Sequence, residues 1–134
     1  MTGWRKTNIG DLENSAERFG LAPDLEARFG RKALGIAGGV FSYQRLAPGF
    51  RSGFGHRHLH QEEIYVVLAG SGRARLDEEE VRLAPRDVLY VPPSTWRAFE
   101  AGGDGLELFV CGFGEGGDSE LDDGFWPRAQ SGNA

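Results

Sequence analysis

His56, His58 and His60 stand at alternate positions in "GHRHLHQEEIYVVLAG", residues 55–70, and are the only histidines of the chain. On an extended strand, residues two apart project to the same face, so His56 and His58 set two imidazoles side by side. Two imidazoles joined by a carboxylate make a good site for a first-row divalent cation. Glu63 can supply that carboxylate if a turn intervenes, because its parity differs from that of the histidines. The arrangement works if residues 55–58 end one strand, 59–62 turn, and 63–69 return on the neighbouring strand. Glu63, Tyr65 and Val67 then point inward together. His60 keeps the histidine parity and is an alternative ligand, but pairing it with His58 leaves only two residues before Glu63. Glu62 reads as a surface neighbour.

The surrounding pattern must supply such strands. "VFSYQRLAP" alternates Phe41, Tyr43 and Arg45 against Ser42, Gln44 and Leu46. "IYVVLAG", residues 64–70, is a continuous apolar run closed by glycine, as expected of a strand buried on both faces. "GRARL" and "VRLAP" flank the acidic tip "DEEE" at 77–80, which reads as a hairpin turn. "DVLYVPP" at 87–93 and "LELFVCGF" at 106–113 complete the set, the latter with Leu106, Leu108 and Val110 on one face. Short strands at this spacing predict an all-β sandwich or barrel over residues 33–113. Residues 1–32 read as an N-terminal arm. "DLENSAERFG" suits a helical turn or two, with Leu12, Ala16 and Phe19 near one face and Gly20 as its stop. Phe19 and Phe29 are the expected anchors of that arm. Residues 114–134 form an acidic, glycine-rich tail, in which Phe125 and Trp126 are placed to dock on the barrel. Phe41, Tyr43, Phe50, Phe54, Tyr65, Tyr90, Trp96 and Phe99 are expected mostly in the core. Tyr65 and Tyr43 are the best candidates to line a ligand cavity.

The 134 residues suffice for one domain with a real core. Hydrophobic residues make up 40% of the chain, in the globular range. Glycine numbers 21, against roughly 9 at ordinary usage, and favours a fold rich in tight turns. A net charge of -5 with scattered arginines argues against a nucleic-acid binder. No apolar run approaches the ~20 residues needed to span a bilayer. A single cysteine excludes an internal disulfide framework and fits a reducing cytoplasm. That residue, Cys111, reads as a buried core thiol.

His56-x-His58, four residues, Glu63, six residues and Gly70 together resemble the first motif of the cupin superfamily. "RDVLYVPPSTWRAFEA", residues 86–101, resembles the second, and the likeness covers about residues 40–112. The resemblance implies a double-stranded β-helix, the jelly-roll barrel, often paired as a homodimer, to which residues 1–32 add the short N-terminal arm. In metal-binding cupins the first motif supplies two histidines and a glutamate, matched here by His56, His58 and Glu63. The second supplies another histidine, and Arg97 stands at its position. Arg86 and Ser94 stand where that motif carries glycines, and Ala101 where it ends in asparagine. An arginine keeps its proton and is a very poor metal ligand. Arg97 could swing outward, replace the metal and hold an anionic ligand, or mark a relict site. The resulting expectation is a small-molecule-binding protein with a divalent metal (Fe, Mn, Ni or Zn) at His56, His58 and Glu63, or with none. Arg97, Tyr65 and Tyr43 are its expected ligand contacts. A metal-dependent enzyme of isomerase or dioxygenase type, acting on a small carbonyl, sugar or aromatic substrate, is one alternative. A structural dimer without a ligand is the other.

Overall fold

The computed structural model describes residues 3–127. Eight strands are present: β1 (Leu25–Phe29), β2 (Gly39–Leu46), β3 (Gly55–His58), β4 (Glu62–Leu76), β5 (Glu79–Leu83), β6 (Val88–Val91), β7 (Arg97–Phe113) and β8 (Ser119–Asp122). The helical content is one turn, α1 (Arg31–Leu34), and two 3-10 turns, Ile9–Asp11 and Ser15–Phe19. None of these is long and apolar enough to cross a membrane.

All pairings are antiparallel, and β4 and β7 run the length of the barrel together. Their first and second halves belong to different sheets. In one, β1, β2, the end of β7, the start of β4 and β6 lie side by side. In the other, β5, the end of β4, the start of β7, β3 and β8 do so. This is the jelly roll expected from the sequence. Its core is filled from both sheets by Tyr65, Val67, Leu83, Val91, Leu106 and Leu108, among others.

The expected break at Gly70 is absent. β4 continues through it to Leu76, and β7 begins nine residues before Leu106, the start expected from sequence. Gly70 and Gly105 face each other with φ of 81° and 77°, and the ladder shifts register between Val67 and Ala69 and between Gly70 and Gly72. A Cβ on Gly70 would lie 2.1 Å from the Gly105 carbonyl oxygen. The glycines therefore bend the two long strands from one sheet into the other without ending them. The acidic hairpin is also tighter than expected. Leu76 pairs with Glu79, so only Asp77 and Glu78 turn, and Glu79 and Glu80 join β5.

The arm contributes a strand, β1, to the edge of the first sheet. Its anchors differ from those expected. Phe19 is 73% exposed and Phe29 56%. Phe29 ends β1, the outermost strand of its sheet, and Phe19 ends its turn beside Gly20, under the Arg18 guanidinium. Leu12, Ala16 and Ala27 are buried instead. Asn14 ties them together: its Oδ1 accepts from Ala16 N at 3.2 Å and from Ala27 N at 3.0 Å. Most of the expected core aromatics also lie elsewhere. Tyr65 and Phe99 are buried, but Phe54 is exposed in the bend before β3, and Tyr90 is exposed because its parity on β6 turns it to the outside. Cys111 shares that parity and is half-buried rather than buried.

Candidate metal centre

Three strands converge on one mouth of the barrel. β3 carries His56 and His58, and the His58 carbonyl is fixed by Ser94 N at 2.7 Å. Glu63 is the first inward residue of β4, between Gly112 of β7 and Val91 of β6. Arg97 opens β7 directly opposite His56. The turn at 59–61 thus reverses parity as expected, bringing Glu63, Tyr65 and Val67 inward. However, β4 does not return beside β3. It crosses to pair with β6 and β7, so the histidines and the glutamate face each other across the barrel interior.

One donor atom each from His56, His58 and Glu63 lie within 4.8 Å of one another. His58 Nε2 is 3.4 Å from Glu63 Oε2, and His56 Nε2 is 3.9 Å from Oε1. The two rings meet edge to face, with centroids 5.4 Å apart. Glu63 Oε1 is the crowded oxygen. It accepts from Tyr65 Oη at 2.5 Å and from Arg97 Nη1 at 2.8 Å. Arg97 is fully buried, and its Nη2 donates to the Pro92 carbonyl at 3.1 Å. Its Nε is buried without a partner among the described residues. The guanidinium has therefore not swung outward: it is the counter-ion of Glu63. Tyr65 serves the same oxygen rather than a cavity.

Burial opposes the charge on Glu63, but the nearby imidazoles of His56 and His58 and the hydrogen bond from Tyr65 outweigh it and hold the carboxyl well below the usual carboxylate range. Burial and the adjacent Glu63 charge push the Tyr65 hydroxyl well above its ordinary value, so it remains a donor. The adjacent Glu63 carboxylate raises His58, burial opposes this, and Asp118 adds to the rise.

Asp118 is the residue that sequence reasoning missed. It follows the glycine-rich stretch after β7 and comes back over β3. Its Oδ1 lies 2.8 Å from His58 Nδ1, while its Oδ2 accepts from His60 N at 2.7 Å and Gln61 N at 3.0 Å. Burial opposes its charge, and these three hydrogen bonds overcome it and keep the carboxyl below the usual range. No motif or periodicity marks Asp118 in the sequence. Two expected contacts fall outside the site. His60 is exposed on the turn and joins only through its backbone N–H. Tyr43 points to the outer face of β2, where its hydroxyl donates to Glu107 Oε1 at 2.6 Å. Its register partner there is Phe109, whereas the inward neighbour Ser42 pairs with Val110.

The family model of the Cupin domain matches residues 42–111, just over half of the chain. The chain belongs to the cupin family. Solved cupins and cupin-like barrels agree with its fold. A cupin protein from Bacteroides fragilis superposes with a TM-score of 0.68 at 24% identity, covering 97% of this chain and 99% of that one. KdgF from Halomonas sp. gives 0.67 at 18%, covering 87% and 98%. Pac13, a nucleoside dehydratase from Streptomyces, gives 0.69 at 15%, covering 87% and 89%. An uncharacterized protein of Methanocaldococcus jannaschii is 36% identical over 59 residues, 43% of this chain. This cupin spans about half of that relative's length, 47%.

Three features bear on whether a metal suits this cupin. The donor set, two imidazoles and a carboxylate, is that of first-row divalent sites, including non-haem iron. Asp118 takes the Nδ1 side of His58, the outer carboxylate–histidine contact that orients metal ligands. Glu63 and Asp118 together carry one more negative charge than Arg97 carries positive, so the site retains a net attraction for a cation. The residues fit a three-donor site, with Arg97 closing the place of a fourth.

Proposed function

We propose that this cupin binds a small polar molecule at the mouth of its barrel, on a divalent metal held by His56, His58 and Glu63. The observation that carries the reading is the convergence of these three donors, with His58 turned toward Glu63 by Asp118. A metal bound there would act as a Lewis acid on an oxygen of the ligand. The chain's own residues divide the remaining work. Arg97 and Tyr65 hold Glu63 Oε1 and leave Oε2 toward His58. His56, 29% exposed against 11% for His58, marks the open side from which a ligand enters. Small-molecule chemistry is supported by the relatives: Pac13 is a nucleoside dehydratase seen with uridine, and a similar Silicibacter pomeroyi barrel is described as a sugar phosphate isomerase.

The test is metal content. Protein purified without a histidine tag should take up close to one equivalent of iron, manganese, nickel or zinc, and His56→Ala should abolish that uptake. If none of the four binds stoichiometrically, the metal site is wrong.

A second reading would then stand: a metal-free pocket using His58 between two carboxylates. It is favoured by Arg97, which already neutralises Glu63 at 2.8 Å. Under either reading we place the protein in the cytoplasm as a homodimer. Leu68, Val88, Tyr90 and Phe113 are exposed together on β4, β6 and β7 of the first sheet, an apolar face of the kind dimers bury. Light scattering that gave a monomer mass at micromolar concentration would rule the dimer out.

A further inference from the structure

The segment after β7 does more than cover the barrel. β8 pairs with β3 residue for residue, Gly55 with Asp122, His56 with Leu121, Arg57 with Glu120 and His58 with Ser119. Beyond it the chain is fastened again. Trp126 Nε1 donates to the Ser52 carbonyl at 2.7 Å, and the Arg51 guanidinium lies 4.3 Å from the Trp126 ring centroid. Phe125 sits on Gly55, where a Cβ would come within 2.4 Å of its ring. β3 is thus gripped along one edge by β8 and covered at Gly55 by Phe125, and the grip delivers Asp118 to His58.

We propose that Asp118 is a positioning residue which keeps the His58 proton on Nδ1 and bares Nε2 toward Glu63, with residues 119–126 as the strap that holds it in place. The proposal rests on reading His56, His58 and Glu63 as the binding site, but its test does not depend on that reading. The geometry of the two carboxylates decides the tautomer. Ionised Asp118 and ionised Glu63 can both only accept, and the closer contact, 2.8 Å to Asp118 against 3.4 Å to Glu63, takes the single proton of the neutral ring at Nδ1. A neutral imidazole with its proton on Nδ1 offers a lone pair at Nε2, the atom 3.4 Å from Glu63 Oε2.

Asp118→Asn makes the prediction sharp. Two backbone donors, His60 N and Gln61 N, require an acceptor where Oδ2 now stands. The asparagine oxygen must turn to them, which presents its NH2 group to His58 Nδ1. That nitrogen becomes the acceptor and the proton moves to Nε2, facing Glu63.

Two-bond nitrogen–proton NMR of the imidazole reads this directly in metal-free protein, at alkaline pH where the ring is neutral. Wild type should show the Nδ1–H tautomer and Asp118→Asn the Nε2–H tautomer. Nickel or zinc affinity should fall about 10–100-fold in the variant, as for other outer-shell partners of histidine ligands. An Nε2–H tautomer in wild type overturns the proposal without any variant. So does a folded Asp118→Asn protein that keeps Nδ1–H. If wild type shows Nδ1–H but binds no metal, Asp118 keeps its role and the metal reading fails instead.

Discussion

Two arginine–carboxylate clusters lie on opposite faces of the same strands. Inside, Arg97 and Glu63 meet at 2.8 Å with side-chain exposures of 0% and 9%. Outside, Arg51 and Arg73 share Glu100, each at 2.8 Å, and Arg73 also reaches Glu80 at 2.7 Å. Exposures there run from 25% to 41%, and Trp126 lies against both guanidinium groups. The groups are the same and the medium differs. Outside, water solvates each charge whether or not it is paired. Inside, each charge has surrendered its hydration and depends on its partner. The interior pair is therefore a commitment of the fold to a charged site, whereas the exterior cluster is a solvated surface.

The largest effect should come from separating the interior pair. Arg97→Ala leaves Glu63 buried with Tyr65 and the histidines but no fixed positive charge. It should destabilise the protein by about 3–5 kcal/mol in denaturant unfolding, the usual cost of stranding one buried partner. The double variant Arg97→Met/Glu63→Gln removes both charges at similar volume and should recover most of that loss. A loss below about 1 kcal/mol for Arg97→Ala would place the pair with exposed ones and erase the contrast.

Arg97→His sharpens the contrast at the level of function. It withdraws the guanidinium from Glu63 and adds an imidazole beside two others. If Arg97 limits cation binding, nickel or zinc affinity should rise at least about tenfold, worth 1.4 kcal/mol. Equal affinities by calorimetry would mean that the guanidinium has no influence on a bound cation.

The interior cluster was legible in the sequence because parity and a fixed spacing encode it. His56 and His58 share a face, and the turn at 59–61 brings Glu63 to them. Its partners were harder to read. Arg97 was visible as a departure from the family pattern, but its burial against Glu63 follows from β7 starting nine residues earlier than its apolar run suggests. Glycine reads locally as a stop, and only the pairing of β4 with β7 shows that Gly70 and Gly105 bend rather than end their strands. Arg86 and Ser94 make the converse point. They stand where the second motif carries glycine and still hold φ of 75° and 71°, so the backbone has kept a shape that their side chains disfavour. Asp118 left no trace in the sequence. Its place depends on β8 adding to β3 from some sixty residues away, and neither periodicity nor composition encodes that contact.

The smallest effect belongs to the exterior cluster. Glu100 accepts from Arg51 and Arg73, and burial of its carboxyl is outweighed by these hydrogen bonds, which lower its pKa below the usual value. Both arginines are more than a third exposed, at 39% and 34%, so water and salt screen most of the attraction. Arg51 and Arg73 also retain Trp126 after the carboxylate is gone. Glu100→Gln keeps the side chain's size and its carbonyl acceptor while removing the charge. It should cost less than about 1 kcal/mol at low salt, and the difference from wild type should shrink as ionic strength rises. The same salt series should leave Arg97→Ala almost unchanged, because salt screens a buried pair far less than an exposed one. A salt-independent Glu100→Gln loss approaching that of Arg97→Ala would show that strand position, and not exposure to water, sets the strength of these pairs.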